Sequence, residues 1–285
     1  MKIAIVTWYN DKVKQYADIN YSINKKYCEL YGYDIIKSNV IQTKFSATWE
    51  RFPLLIDNMF EYDYVMWIDS DAIFLKNSPP ITNIINKYPD KLFIFSSDVD
   101  SLCDNDINAG VIIVKSCPYS AKILKEMYTN PTLTRYGYGY IGYPRCQGDP
   151  QYIKYVEDQG AIRYMYSQNL FSLKEKSVVV PYGVLQLFPQ YIHDDSIYRP
   201  HNGDENIPYI YHIAGTPHNS RVVFSRLYIK ANFPSICKCG CDKYVDVPAC
   251  CILCHKNKGH GPLCLTYGFK DNPKWLNLHN KRRSK

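Results

Sequence analysis

Two carboxylates one residue apart, Asp69 and Asp71, follow the uncharged run Tyr64-Val65-Met66-Trp67-Ile68. Residues i and i+2 of an extended segment project to the same side, so both side chains can address one ion. Carboxylate oxygens suit hard divalent cations such as Mg²⁺ or Mn²⁺. Trp67 before the pair and Ala72 to Leu75 after it strengthen this reading, because charged groups beside buried apolar residues must be paired or metal-bound. The segment therefore reads as a buried strand ending in a divalent-metal site.

The elements around the pair follow from periodicity. Lys2 to Trp8 is a short apolar run fit for a first, central strand. From Asp11 to Tyr31 the positions Val13, Tyr16, Ile19, Ile23, Tyr27 and Leu30 recur at helical spacing, and Tyr33 to Ile36 reads as a second strand. Trp49, Phe52, Leu55, Ile56 and Met59 step at helical intervals ahead of the strand Tyr64 to Ile68. A short helix is expected at Ile81 to Lys87, strands at Leu92 to Phe95 and Val111 to Val114, and a helix near Tyr119 to Tyr128. Tyr136 to Pro144, rich in Gly and Tyr, reads as a loop. Asp149-Pro150 offers a helix start with Asp149 as N-cap. Val178 to Pro181 and Tyr209 to Tyr211 are the last strand candidates. Alternation of strands and helices predicts an α/β fold, a mostly parallel sheet flanked by helices on both faces. Ligands of such sheets bind at the carboxyl ends of the strands, where Asp69 and Asp71 lie.

At 285 residues the chain has room for one large domain and an appendage. Its net charge of +7 owes more than half to Lys281, Arg282, Arg283 and Lys285, so the remainder is too mild for a nucleic-acid stripe. No stretch approaches a membrane span, and Ile3 to Val6 is too short for a signal peptide. The expectation is a cytoplasmic protein, in host cytoplasm if viral. The boundary is expected at Phe233-Pro234, dividing a domain at 1–233 from a Cys/His-rich tail at 234–285 with a basic end.

Five blocks, taken in order, resemble GT-A nucleotide-sugar glycosyltransferases, most closely retaining family 34 with kinship to family 8. They are Trp49-Glu50-Arg51, Asp69-Ser70-Asp71, Ile107-Asn108-Ala109-Gly110-Val111, Asp149-Pro150-Gln151 and His212-Ile213-Ala214-Gly215. The resemblance covers roughly residues 2 to 230. It implies a metal-dependent retaining transfer of a hexose or pentose from a nucleoside-diphosphate sugar, a UDP-sugar favoured, to a glycan or glycoprotein acceptor. In such a reaction a divalent cation neutralises charge developing on the leaving diphosphate. Asp71 is the first direct ligand, Asp69 a second ligand or a ribose contact, and His212 the third ligand, whose nitrogen favours Mn²⁺ over Mg²⁺. Asn108, Asp149 and Gln151 are the catalytic candidates. In the Asn-Ala-Gly block, small residues permit close ligand approach and leave the amide to sugar hydroxyls. Nucleotide-sugar contacts are assigned to Thr7, Tyr9, Arg51, Asp69, Gly110 and Gly215. His218 and Arg221 either serve the diphosphate or belong to a solvated loop. Departures stand out: Arg51 replaces a usual Lys, which alters geometry, Pro150 interrupts the acid-and-amide pair, and Thr216-Pro217 follows Gly215.

Seven of the eleven cysteines crowd into the tail. Cys237, Cys239, Cys241, Cys250, Cys251, Cys254, His255, His260 and Cys264 are soft ligands that suit structural Zn²⁺ better than disulfides in a reducing compartment. Two rivals deserve statement. A haloacid dehalogenase-type phosphatase would share an Asp-x-Asp after a strand, but needs it on the first strand and an acidic pair downstream. A zinc-containing nucleic-acid-binding protein explains the tail and leaves the body's blocks unexplained.

Overall fold

The computed structural model describes residues 1–98, 107–137, 158–188 and 208–232. In chain order the elements are β1 (Ile3–Trp8), α1 (Lys14–Tyr31), β2 (Asp34–Ser38), α2 (Arg51–Met59) after a 3-10 turn at Ala47–Glu50, β3 (Tyr64–Ile68) and β4 (Ala72–Phe74). They continue with α3 (Thr82–Lys87), β5 (Phe93–Ser97), β6 (Ile107–Lys115), α4 (Pro118–Thr129), α5 (Pro131–Gly137) and α6 (Asp158–Ser167). The remainder are α7 (Leu173–Lys176), β7 (Ser177–Val180), β8 (Gln186–Leu187), β9 (Ile210–His212) and α8 (His218–Asn232).

The main sheet has six strands in the order β2-β1-β3-β6-β5-β7. Its strands read as near-continuous apolar runs because both faces are covered. Ala4, Val6 and Trp8 of β1 and Val65 and Trp67 of β3 join a core built with α2, α4 and α6. The alternate residues Ile3, Ile5, Tyr64, Met66 and Ile68 enter a second core with Tyr27 and Cys28 of α1 and Ile84 and Ile85 of α3. The period-2 alternation of a strand thus feeds two apolar layers at once.

Two expectations are refined. The parallel pairs are β1 with β2, β1 with β3, and β5 with β7, whereas β6 runs antiparallel to both β3 and β5. One reversed strand therefore sits in the middle of the sheet, and β1 is interior but next to the edge strand β2. A second sheet, β4-β9-β8, was not expected: β4 pairs antiparallel with β9, and β9 parallel with β8.

The helix α1 supports β4 with side-chain amides. Asn24 Nδ2 donates to Ala72 O at 3.0 Å and its Oδ1 accepts from Phe74 N at 2.9 Å, while Asn20 Nδ2 donates to Ser70 O at 2.9 Å. Among the described residues no helix is long and apolar enough to cross a membrane. The tail, the boundary at Phe233-Pro234, the Tyr136 to Pro144 loop beyond Gly137, and Asp149 to Gln151 lie outside the described residues.

Candidate active site

The Asp-x-Asp segment is a tight link between the two sheets. Asp69 follows β3 and Asp71 precedes β4; Asp69 N donates to Gly110 O, and Ala72 N donates to Asp69 O, each at 2.9 Å. His212 arrives because its neighbour across the β4–β9 ladder is Ala72, and Ile213 N donates to Asp71 O at 2.9 Å. Three residues distant in sequence thereby converge: one ligand atom from each of Asp69, Asp71 and His212 lies within 4.8 Å of the others. His212 Nε2 is 3.2 Å from Asp71 Oδ1 and 3.5 Å from Asp69 Oδ2.

The imidazole is held from three directions. Its Nδ1 is 3.0 Å from Gln186 Oε1 on β8; an amide oxygen can only accept, so Nδ1 carries a proton and Nε2 is the nitrogen turned to the carboxylates. The ring of Phe188 lies edge-on at 5.4 Å. Gly110 completes the cradle, since a Cβ there would fall within 2.9 Å of Nε2. The space beside Gly110 that was expected to admit a ligand is filled by His212.

Electrostatics follow from this crowding. Burial pushes the Asp69 carboxyl up despite Arg51 and His212 nearby. Burial acts the same way on Asp71, yet His212 and Arg221 outweigh it and hold that carboxyl below its ordinary range. Burial alone would lower His212, but the two carboxylates outweigh it and raise the imidazole. A half-buried carboxylate, a buried one and a raised imidazole make a site that favours positive charge.

Behind Asp69 stands a buried ion network. Trp67 Nε1 donates to Asp69 Oδ1 at 2.6 Å, and Arg51 Nη2 lies 3.3 Å from the same oxygen. Arg51, 3% exposed, also places Nε 2.7 Å from Asp158 Oδ2 and donates to Thr48 O and, through Nη1, to Ala109 O. On the neighbouring turn Gln159 Oε1 accepts from Ala109 N at 2.9 Å, and Arg163 Nε donates to Ile107 O at 2.6 Å. The first turns of α6 thus clamp the start of β6, where Asn108 is buried with its Oδ1 accepting from Gly110 N at 2.9 Å.

The remaining expected residues fall at the same end of the sheet or on α8. Thr7 is buried near the end of β1, and its Oγ1 has no hydrogen-bond partner. Tyr9 is buried, donates to Asp18 Oδ1 at 2.7 Å, and carries the Lys37 ammonium 4.0 Å above its ring. Gly215 turns the chain after β9 with φ +69°, a left-handed conformation natural to glycine. His218 and Arg221 lie on α8, which replaces the solvated-loop alternative. His218 packs on Tyr16 with ring centres 5.3 Å apart, and Arg221 Nη1 is 3.2 Å from Asp71 Oδ2.

Asp149 and Gln151 lie outside the described residues. The acid-and-glutamine pair beside Asn108 to Gly110 is Asp158-Gln159, which sequence reasoning passed over. Its signal was present: the two are adjacent, and Ala161, Ile162 and Met165 follow at helical spacing. Gln186, Asn20 and Asn24 were also missed.

A central α/β sheet with a reversed strand and helices on both faces matches the fold of GT-A glycosyltransferases. A glycosyltransferase involved in the glycosylation of the major capsid of PBCV-1 superimposes with a TM-score of 0.55 at 17% identity, covering 80% of this chain and 100% of that one. Xyloglucan 6-xylosyltransferase 4 of Arabidopsis thaliana is 25% identical over 224 residues, 66% of this chain and 39% of the relative. Galactomannan galactosyltransferase 1 of Cyamopsis tetragonoloba is 26% identical over 106 residues, 34% of this chain and 24% of the relative. The chain therefore spans well under half the length of these curated relatives. No family model matches it.

Proposed function

We propose that this chain is a metal-dependent, retaining glycosyltransferase that moves a hexose or pentose from a nucleoside-diphosphate sugar, a UDP-sugar favoured, to a glycan or glycoprotein acceptor. The observation that carries the reading is the convergence of Asp69, Asp71 and His212 within 4.8 Å. The donor set fits a divalent cation: two carboxylates and an imidazole whose second nitrogen is engaged by Gln186. Two oxygens and one nitrogen favour Mn²⁺ over Mg²⁺. When bound, the cation supplies charge neutralisation for the leaving diphosphate.

The chain's own residues do the rest. Arg51 and Trp67 orient Asp69; Gln186 and Gly110 orient His212. Asn108 at the start of β6 and Gln159, joined to Ala109, are read as the sugar contacts, and Asp149 and Gln151 are assigned to the same role from the sequence. Thr7 and Tyr9, at the end of β1, are assigned to the nucleotide, and His218 and Arg221 to the diphosphate. Residues 234–285 are read as a zinc-stapled tail. The phosphatase alternative loses weight because Asp69 and Asp71 follow the third strand of the chain and have His212 as partner.

The experiment is a thermal-shift screen of UDP- and GDP-sugars with and without Mn²⁺. A nucleotide is expected to stabilise the protein only with Mn²⁺, and Asp71→Ala is expected to abolish the shift; stabilisation that survives Asp71→Ala refutes the ion assignment. Gln186→Leu removes the acceptor for His212 Nδ1–H, and Mn²⁺ binding is expected to weaken about 10–100-fold. Titration calorimetry reads this, and unchanged affinity would show that Gln186 does not set the imidazole.

A further inference from the structure

Each carboxylate of the Asp-x-Asp pair already has a guanidinium beside it. Arg51 lies 3.3 Å from Asp69 Oδ1 and Arg221 lies 3.2 Å from Asp71 Oδ2. The two arginines are built differently. Arg51 is 3% exposed and anchored by Asp158, Thr48 O and Ala109 O, so it is a fixed part of the scaffold. Arg221 projects from α8 with its side chain 25% exposed. Its Nη1 is shared between Asp71 and Tyr16 Oη, the latter also at 3.2 Å, and its Nε is buried with no hydrogen-bond partner among the described residues.

This arrangement has a chemical consequence for any cation. Asp71 offers Oδ1 towards His212 and Oδ2 towards Arg221, so a divalent ion entering here meets a carboxylate already neutralised by a positive charge close by. Like charges at such separations repel strongly where water is largely excluded. An unsatisfied Nε–H, meanwhile, leaves the guanidinium short of an acceptor where it now rests. A diphosphate answers both conditions. Its oxygens match the planar fork of an arginine bidentately, and drawing the fork away frees Asp71 Oδ2.

We propose that Arg221 is an internal stand-in for the cation: it occupies Asp71 while the site has no diphosphate and moves to the diphosphate when the nucleotide enters. Ion and nucleotide then bind cooperatively, each making room for the other, and neither binds well alone. This rests on the metal and nucleotide reading above.

The test is Mn²⁺ binding to the full chain, read by electron paramagnetic resonance, alone and with saturating UDP or GDP. In the wild type one nucleotide is expected to tighten Mn²⁺ by about 10-fold or more, within the usual span of coupling between two sites. Arg221→Gln is expected to bind Mn²⁺ alone about 10-fold more tightly than wild type, with the coupling to nucleotide correspondingly reduced. Arg221→Lys keeps a charge near Asp71, so its affinity for Mn²⁺ alone should stay near wild type, while coupling falls because an ammonium lacks the fork. A circular-dichroism melt establishes folding for both, and the lysine variant carries the test if the glutamine variant does not fold. Arg221→Gln that leaves Mn²⁺ affinity unchanged or weaker, or either variant retaining wild-type coupling, overturns the proposal. Wild-type protein that binds Mn²⁺ neither alone nor with nucleotide overturns the metal reading itself, an outcome separate from the first.

Discussion

Gly110→Ala is expected to abolish the proposed Mn²⁺-dependent nucleotide binding and to lower the proposed transferase activity at least about 100-fold, the scale on which loss of one transition-state electrostatic contact is felt. A Cβ at this position would fall 2.5 Å from His212 Nδ1 and 2.9 Å from Nε2, and nearer still to Cε1. Neither wall can yield easily. Strand β6 is bonded to β3 and β5, and Asn108 Oδ1 holds Gly110 N. His212 is fixed by pairing with Ala72 and by Gln186. The imidazole must turn out of the cradle, taking its nitrogen from the carboxylates. The whole protein should survive, since one added methyl in a packed interior costs about 1–3 kcal/mol. Calorimetric titration with Mn²⁺ and a thermal melt separate the two effects; wild-type ion affinity in a folded Gly110→Ala protein would mean that His212 is no ligand.

Arg51→Leu should be the most destabilising single change at the site, by about 3–5 kcal/mol, the cost of removing one partner of a buried ion pair. The loss takes a guanidinium from Asp158, whose carboxylate lies 2.7 Å from Arg51 Nε with both side chains 3% exposed. It also frees Asp69 from its guanidinium and Ala109 O from a donor. Urea unfolding measures the loss, and Arg51→Leu combined with Asp158→Leu should recover part of it, because replacing both members of a buried pair by apolar groups is far less costly than orphaning one. Additive destabilisation by the two changes would contradict a direct pair. Arg51→Lys is not conservative here: a single ammonium cannot span Asp69, Asp158 and Ala109 O as the fork does.

What could be read from the sequence was whatever burial writes in residue type. Strands β1 and β3 are covered on both faces, so they appear as unbroken apolar runs, and α1 and α2 show their buried stripes at helical spacing. The convergence of Asp69, Asp71 and His212 was expected through the resemblance of the His212 to Gly215 block, since a histidine at a strand end has structural uses as common as ligation. The reversed direction of β6 was not, since a strand buried on both faces carries no mark of its polarity. Strands of three and two residues, β4 and β8, are too short for any period to register. The helix α8 buries Val222, Ser225 and Ile229, and a serine in that stripe blurs the apolar pattern. Gln186 went unnoticed because its role depends entirely on the ring it touches. Asp158-Gln159 was overshadowed by the stronger helix-start signal of Asp149-Pro150.

The amides of Asn20 and Asn24 carry one more implication. Among the described residues β4 is an outer strand of the small sheet, and it joins directly to the acidic pair. An outer strand normally offers its free peptide groups to any passing chain, which can then add itself as a further strand. Here Asn24 occupies both Ala72 O and Phe74 N, so one helical side chain does the work of a neighbouring strand beside the Asp69–Asp71 link. Between Ala72 and Phe74 the small sheet is thereby closed to strand addition, and an extended chain would have to approach by another face.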